Sequence, residues 1–188
     1  MPLKYQVPDD KKVRVIVDSD AACEADDPFA IAHALLCDKF IVKAIFAEHF
    51  NCEGSMKQSF EEIQRVVKAM KKEVPVLMGE IGKLSEKGTG EISEASSFLI
   101  REALREDDKP LYVLCIGAIT NIASAIQACP DIVPRMTVVW IGGQSHEHST
   151  GEVREFNAGN DIEAANLVLG SGVRFWQIPN DVYGSMRI

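Results

Sequence analysis

The stretch that most constrains the fold of this chain is VRVIVDSDAACEADD, from Val13 to Asp27. Its first five residues are mostly β-branched, which predicts a buried strand, and Asp18 and Asp20 follow at the carboxyl end of that strand. Asp26 and Asp27 come next and lead into a largely apolar helix. We expect Asp26 or Asp27 to cap the first turn of this helix.

Four carboxylates at the end of one strand predict a metal site. Open α/β sheets bind ligands in the crevice outside the carboxyl ends of their strands. Carboxylates gathered there repel one another unless a cation lies between them. Their hard oxygen atoms favour Ca²⁺ or Mg²⁺ over zinc. The alternative is that these aspartates only connect a strand to a helix and cap it.

The remainder of the chain alternates predicted strands with predicted helices. The strands are expected at residues 13–17, 40–47, 74–78, 111–116, 136–141 and 173–178. The helices are expected at residues 29–36, 56–70, from Ser93 as N-cap to about 105, 119–128 and 161–169. This alternation predicts one α/β domain over residues 1–188, with a doubly wound, mostly parallel sheet flanked by helices. The continuous apolar run 111–116 is expected to be a central strand covered on both faces.

Composition narrows the classes of partner. A net charge of −8 argues against nucleic acid and against anionic membranes, because both would be repelled. The five cysteines are odd in number and form no CxxC pair, and the first residues lack an apolar leader segment. No apolar run reaches the length of a membrane span. We therefore expect a cytoplasmic protein that acts on a small molecule.

Four segments of the chain resemble, in order, the inosine–uridine-preferring nucleoside hydrolases. They are VIVDSDAACEADDPFAIAHAL, IGAITNIASAI, WIGG and EFNAGNDIEAANLVL. The resemblance implies a nucleoside hydrolase-like fold and a Ca²⁺-dependent hydrolysis of the N-glycosidic bond of ribonucleosides to ribose and free base. It also implies a homo-oligomer, either a dimer or a tetramer.

The resemblance also implies roles for individual residues. Asp20 and Asp27 would ligate calcium together with the backbone carbonyl of Ile116, and Asp20 would take a proton from the attacking water. The residues implied to hold the ribose hydroxyls are Asp26, Glu155 and Asn157. These residue types suit the chemistry, because glycosidic cleavage develops positive charge on the sugar and carboxylates stabilise it.

The chain departs from the family pattern in several places. A Gly-Asn pair that the family places after the second strand is replaced by a polar cluster containing His49, for which we expect either a loop histidine or a group that protonates the leaving base. His146 and His148 are expected to be loop residues, and contact with the base is the less favoured alternative. The family's later calcium-ligating Asp has no counterpart, since Asp181 falls too early in the chain.

Two alternatives to a complete hydrolase follow from these departures. In the first, the chain is the amino-terminal portion of a longer nucleoside hydrolase fold, or a non-catalytic relative that binds ribose or nucleoside, and its sheet leaves an apolar face uncovered. In the second, it is a Mg²⁺-dependent phosphatase of the haloacid-dehalogenase type. Asp18 would then be the nucleophile and Asp20 the acid–base group.

Overall fold

The computed structural model of the chain describes residues 6–86, 91–145 and 155–186. The strands in these residues are β1 (Val13–Ser19), β2 (Phe40–Ala47), β3 (Val76–Met78), β4 (Leu111–Cys115), β5 (Met136–Ile141) and β6 (Arg174–Ile178). The α-helices are α1 (Asp26–Leu36), α2 (Ser55–Ala69), α3 (Glu94–Leu104), α4 (Thr120–Ala128), α5 (Phe156–Asn160), α6 (Ile162–Gly170) and α7 (Asn180–Tyr183).

The six strands form one parallel sheet in the order β3-β2-β1-β4-β5-β6. This order confirms the predicted α/β class with a doubly wound sheet. The direction of winding changes between β1 and β4, so their carboxyl ends flank the switch point at which such sheets bind ligands. The aspartates after β1 therefore lie where the sequence predicted a site.

Helices pack on both faces of the sheet and produce two apolar clusters. One cluster joins the strands to α3, α4 and α6 through buried residues such as Leu99, Ile122 and Val168. The other joins β1 and β2 to α1 and α2 through Ile31 and Ile63. Burial of these side chains, at roughly 25 cal/mol per Å² of apolar surface, holds the helices against the strands.

The expectation that β4 is covered on both faces holds for only one of them. Burial alternates along β4, with Tyr112 and Leu114 half-buried on the side of α1 and α2. These two residues share an open groove of about 310 Å³ with Val139 and Trp176, and Trp176 is 53% exposed. The half-open face agrees with the expected apolar face.

Two local features differ from the predictions, and a third agrees. Asp26 and Asp27 lie inside the first turn of α1 and neither side chain caps it, because the N-cap position is Ala25. The short helices α5 and α7 were not predicted. Ser93 does cap α3, since its side chain accepts a hydrogen bond from the backbone N–H of Ser96. In the described parts of the chain no helix is long and apolar enough to cross a membrane.

Candidate functional site

A small acidic crevice lies at the carboxyl ends of β1 and β4. It measures about 50 Å³ and is lined by Asp20, Cys23, Glu24, Asp26, Asp27, Ile116, Ile141, Phe156, Asn157 and Tyr183. The parallel register explains this convergence, because Asp18 of β1 pairs with Cys115 of β4, and Asp20 and Ile116 each follow directly as these two strands end. Five of the six residues that the sequence implied for metal and ribose line the crevice.

Asp20 is the most strongly perturbed of these groups. It is 2% exposed, and burial raises the pKa of its carboxyl to about 8, with the negative charge of Asp27 as the next cause. Because Gly117 has no side chain, Asp20 can lie against it; a Cβ on Gly117 would be 2.6 Å from Asp20 Oδ1. The indole N–H of Trp140 donates to the carbonyl of Gly117 at 3.0 Å and fixes that turn.

Asp27 is held at the start of α1 by a strand residue. Ser19 Oγ donates to Asp27 Oδ1 at 2.5 Å, which joins the end of β1 to the helix. Burial raises the pKa of the Asp27 carboxyl to about 7, the hydrogen bond from Ser19 lowers it, and the charge of Asp26 raises it. Asp20 and Asp27 are thus two buried carboxyls whose ionised forms are disfavoured by burial and by neighbouring carboxylates.

The oxygen atoms around the crevice are the type of ligand that a hard divalent cation prefers. Asp20 and Asp27 offer carboxylate oxygens, and Ile116 lines the same crevice at the end of β4. A cation between the two carboxylates would remove the repulsion that raises the pKa of Asp20. Across the described ranges, however, no three His, Cys, Asp or Glu side chains are grouped so as to hold a metal ion. The set therefore fits only with further oxygen ligands from backbone, substrate or water.

Glu155 lies behind the crevice wall as the N-cap of α5. Its Oε1 accepts from the backbone N–H of Asn157 at 2.9 Å and from the Tyr183 hydroxyl at 2.5 Å. Its Oε2 accepts from the backbone N–H groups of Gly143 at 2.6 Å and Ala158 at 2.7 Å. Glu155 thus ties the end of β5, helix α5 and helix α7 together.

Asn157 faces the crevice from the first turn of α5. Its Nδ2 donates to the carbonyl of Ile141 at 2.8 Å, which sets the orientation of the amide. No other described residue donates a hydrogen bond to its Oδ1. That oxygen can accept a hydrogen bond from a sugar hydroxyl.

Asp18 does not line the crevice but belongs to a buried polar network beneath it. Asn121, at the start of α4, donates through Nδ2 to Asp18 Oδ1 at 2.8 Å and to the carbonyl of Ala47 at 3.1 Å. Its backbone N–H donates to Glu48 Oε2 at 3.0 Å. Burial raises the pKa of Asp18 to about 7 and that of Glu48 well above its usual range. Sequence reasoning placed Glu48 in the polar cluster after the second strand but missed Asn121, because its role depends on β2 and α4 meeting in space.

His49 is fully buried and bonded on both ring nitrogens. Its Nδ1 accepts from the backbone N–H of Asn51 at 3.2 Å, so Nε2 carries the proton and donates to Thr120 Oγ1 at 2.8 Å. Thr120 in turn donates to Asp161 Oδ2 at 2.8 Å. Burial lowers the pKa of His49, which keeps the ring neutral. His49 does not line the crevice, while His146 and His148 lie outside the described residues.

Comparison with known proteins identifies the class to which this arrangement belongs. The model of the family described as inosine-uridine preferring nucleoside hydrolase matches residues 15–187. The chain therefore belongs to the nucleoside hydrolase family. This membership leaves no support for the phosphatase alternative. The burial of Asp18 and its bond to Asn121 also withhold it from attack on a substrate.

Individual relatives agree with this assignment over part of their length. The chain is 35% identical to the non-specific ribonucleoside hydrolase RihC of Escherichia fergusonii over 91 residues, which are 47% of this chain and 30% of that protein. Two solved structures share the fold. They are an inosine-guanosine nucleoside hydrolase (TM-score 0.72, 23% identity, 89% of this chain and 60% of that one) and the plant nucleoside hydrolase PpNRh1 (TM-score 0.76, 18% identity, 90% and 60%). This chain thus spans well under two thirds of the length of these relatives.

Proposed function

We propose that this chain carries the metal- and ribose-binding part of an enzyme that hydrolyses the N-glycosidic bond of ribonucleosides to ribose and free base with Ca²⁺ as its cofactor. The observation that carries the proposal is the pair of buried carboxyls Asp20 and Asp27, whose raised pKa values come from burial and from neighbouring negative charge. Such perturbed groups in a crevice mark candidate functional sites.

The roles of the residues follow from their places around the crevice. Asp20 and Asp27 would hold the ion with the carbonyl of Ile116, and a bound ion would lower the pKa of a water and orient it. Asp20, once ionised, would accept the proton of the attacking water. The carboxylate of Asp27 keeps its negative charge and would face the positive charge that develops on the sugar as the base departs.

Ribose would be oriented by further hydrogen-bond acceptors at the crevice. Asp26 and the Oδ1 of Asn157, to which no described residue donates, would accept hydrogen bonds from sugar hydroxyls, and Glu155 would accept one through Oε1. Because these acceptors lie on α1 and α5, two rigid elements would hold the sugar while the bond breaks. We leave His49 out of the catalytic set, since its two hydrogen bonds fix it away from the crevice.

The test measures metal binding and hydrolysis in the same protein. Calorimetry with CaCl₂ should show binding to the chain, and Asp20→Ala or Asp27→Ala should each abolish it while circular dichroism stays unchanged. Release of base from inosine, uridine and p-nitrophenyl riboside should require Ca²⁺ and stop with EDTA. Asp38→Ala, an exposed aspartate at the far end of α1, is the matched control and should change neither measurement.

Full hydrolysis by Asp20→Ala would contradict the assignment of that carboxyl. Absence of Ca²⁺ binding to the unaltered chain would contradict the proposed cofactor. Because Ca²⁺ binding is read directly by heat, this second result does not depend on turnover.

A second candidate is a relative that binds nucleoside or ribose without hydrolysing it. One observation favours it: the residues that the structure describes group no three side chains that could hold a metal ion. Binding of ribose without release of base from any of the three substrates would decide for it. We further propose a cytoplasmic location, given five unpaired cysteines, and a dimer or tetramer, which sedimentation velocity would show.

A further inference from the structure

The crevice in this structure is too small for the ligand that the family would bring to it. About 50 Å³ holds one or two water molecules, whereas pockets for small organic ligands measure roughly 300–1,000 Å³. Tyr183 of α7 is one of the residues that close it. The position of α7 therefore contributes to the small volume of the crevice.

Tyr183 holds this position through one carboxylate oxygen. Its hydroxyl donates to Glu155 Oε1 at 2.5 Å and accepts from Asn180 Nδ2 at 3.3 Å. The other three bonds of Glu155 come from backbone N–H groups at the end of β5 and in α5. Asn157 and Ala158 lie in α5, so their N–H groups cannot leave without unwinding its start. The N–H of Gly143 belongs to the backbone just after β5. Among the described donors to Glu155, the Tyr183 hydroxyl is the one that a side chain supplies from a helix without buried residues.

Helix α7 lies at the surface of the described structure. None of its four residues is buried. One of its connections is the hydrogen bond from the backbone N–H of Asn180 to the carbonyl of Gly143, just after β5, at 3.0 Å. Segments with few buried contacts open at a low free-energy cost.

We propose that Tyr183 closes the crevice and that a ligand enters by replacing the Tyr183 hydroxyl on Glu155 Oε1 with a hydroxyl of its own. The ligand class is a sugar with neighbouring hydroxyls, and this part of the inference rests on the proposed function. The closure itself does not, since it follows from the contacts of Tyr183 in this chain. Tyr183 is accordingly a positioning residue, and α7 is the part that moves.

The closure can be tested without any ligand, because Cys23 lines the crevice beside Tyr183. Tyr183→Phe removes the hydroxyl and keeps the ring, so α7 should open more often. We expect the rate of Cys23 alkylation by iodoacetamide, followed by peptide mass spectrometry, to rise several-fold. Cys129, at the carboxyl end of α4, is the control within the same molecule and should react at an unchanged rate. Tyr112→Phe, in the open groove on the sheet, is the matched variant and should leave the rate at Cys23 unchanged.

The replacement is tested by calorimetry with D-ribose in the presence of CaCl₂. Because the ligand no longer has to break the bond between Tyr183 and Glu155, Tyr183→Phe should bind ribose about three- to tenfold more tightly than the unaltered chain. A tyrosine that merely shaped the site would give the opposite result, since its loss would weaken binding. Should Tyr183→Phe fail to fold, Asn180→Ala serves in its place, because it removes the amide that orients the same hydroxyl.

Each result has one meaning. An unchanged alkylation rate at Cys23 overturns the closure, and weaker ribose binding by Tyr183→Phe overturns the replacement. Faster alkylation with tighter ribose binding supports both parts. Faster alkylation with no ribose binding by either protein supports the closure and counts against the proposed sugar-binding function.

Discussion

Ser19 and Asp27 join the end of β1 to the first turn of α1 through a hydrogen bond of 2.5 Å between Ser19 Oγ and Asp27 Oδ1. Both residues are buried. The bond favours the ionised form of Asp27 and so lowers a pKa that burial raises. Ser19 carries no charge itself, but it favours the ionised form of Asp27, which is the form that binds a cation.

Replacing Ser19 with alanine tests this relationship. Ser19→Ala should lower the free energy of unfolding by about 1–3 kcal/mol, because it leaves a buried acceptor unsatisfied. It should also weaken Ca²⁺ binding, since the pKa of Asp27 rises further. Urea denaturation and calorimetry measure the two effects. Ser59→Ala is the control: Ser59 Oγ is buried and bonds to none of the described residues, so its removal should not lower the free energy of unfolding. Equal losses in the two variants would contradict the assignment.

The raised pKa of Asp20 predicts how stability depends on pH when no cation is bound. In the folded chain the pKa of Asp20 is about 8, against an ordinary value of 3.8. Between these values the folded state binds more protons than the unfolded state, so the free energy of unfolding falls as pH rises. Asp20→Asn should reduce that fall, by on the order of a few kcal/mol between about pH 4 and pH 8.

Urea denaturation at several pH values, in EDTA, measures the difference between the two proteins. Ca²⁺ should restore stability to the unaltered chain at pH 8 and do much less for Asp20→Asn. The control is Asp131→Asn, which changes an exposed carboxylate near the start of β5. If the free energies of unfolding of Asp20→Asn and of the unaltered chain change with pH in parallel, Asp20 is not the carboxyl with the raised pKa.

His49 is expected to act on stability rather than on the departing base. His49→Gln should lower the free energy of unfolding by about 1–3 kcal/mol, because the buried bonds to Asn51 and Thr120 are disturbed. Its effect on kcat for inosine should stay below tenfold, whereas loss of a general acid costs roughly 10²–10⁴-fold. His33→Gln, an exposed histidine in α1, is the control for both measurements. A thousandfold loss of kcat with unchanged stability would return His49 to the catalytic set.

Gly117 should be intolerant of even one added methyl group. A Cβ there would lie 2.6 Å from Asp20 Oδ1, so Gly117→Ala should push the carboxylate aside. We expect Ca²⁺ affinity to fall at least tenfold in calorimetry. Gly170→Ala, at the end of α6 where a Cβ meets nothing within 4 Å, is the matched control. Unchanged affinity in Gly117→Ala would mean that Asp20 is not held against this turn when the ion binds.

Sequence patterns predicted the sheet well because its strands are chemically distinct from their surroundings. The bounds of β2 and β5 match the predicted residues, and the alternation of strands with helices gave the parallel topology. The placement of Asp20, Asp26 and Asp27 at one crevice followed from the rule that parallel strands end at the same edge. Helix α7, by contrast, is a four-residue helix whose place depends on a contact with Glu155 from a distant segment.

The polar network under the site could not be predicted from local patterns. Asn121 contacts Asp18 across 103 positions of sequence. The polar cluster after the second strand contains Glu48, but its sequence does not show that Glu48 accepts from the backbone of Asn121. Asp26 and Asp27 resembled helix caps because aspartate is common there, yet Asp27 is bonded to a strand residue instead. In each case the partner that decides the role comes from another element of the fold.

The indole of Trp140 donates a hydrogen bond to the carbonyl of Gly117, so the fluorescence of this tryptophan can report on the turn at Gly117. Trp140 is buried and bonded to Gly117, against which Asp20 lies, whereas Trp176 is 53% exposed in the groove. Fluorescence from Trp140 should therefore respond when the turn at Gly117 shifts, while Trp176 supplies a red-shifted signal that an aqueous quencher such as iodide can remove. Events in the crevice can thus be followed in real time without attaching a dye.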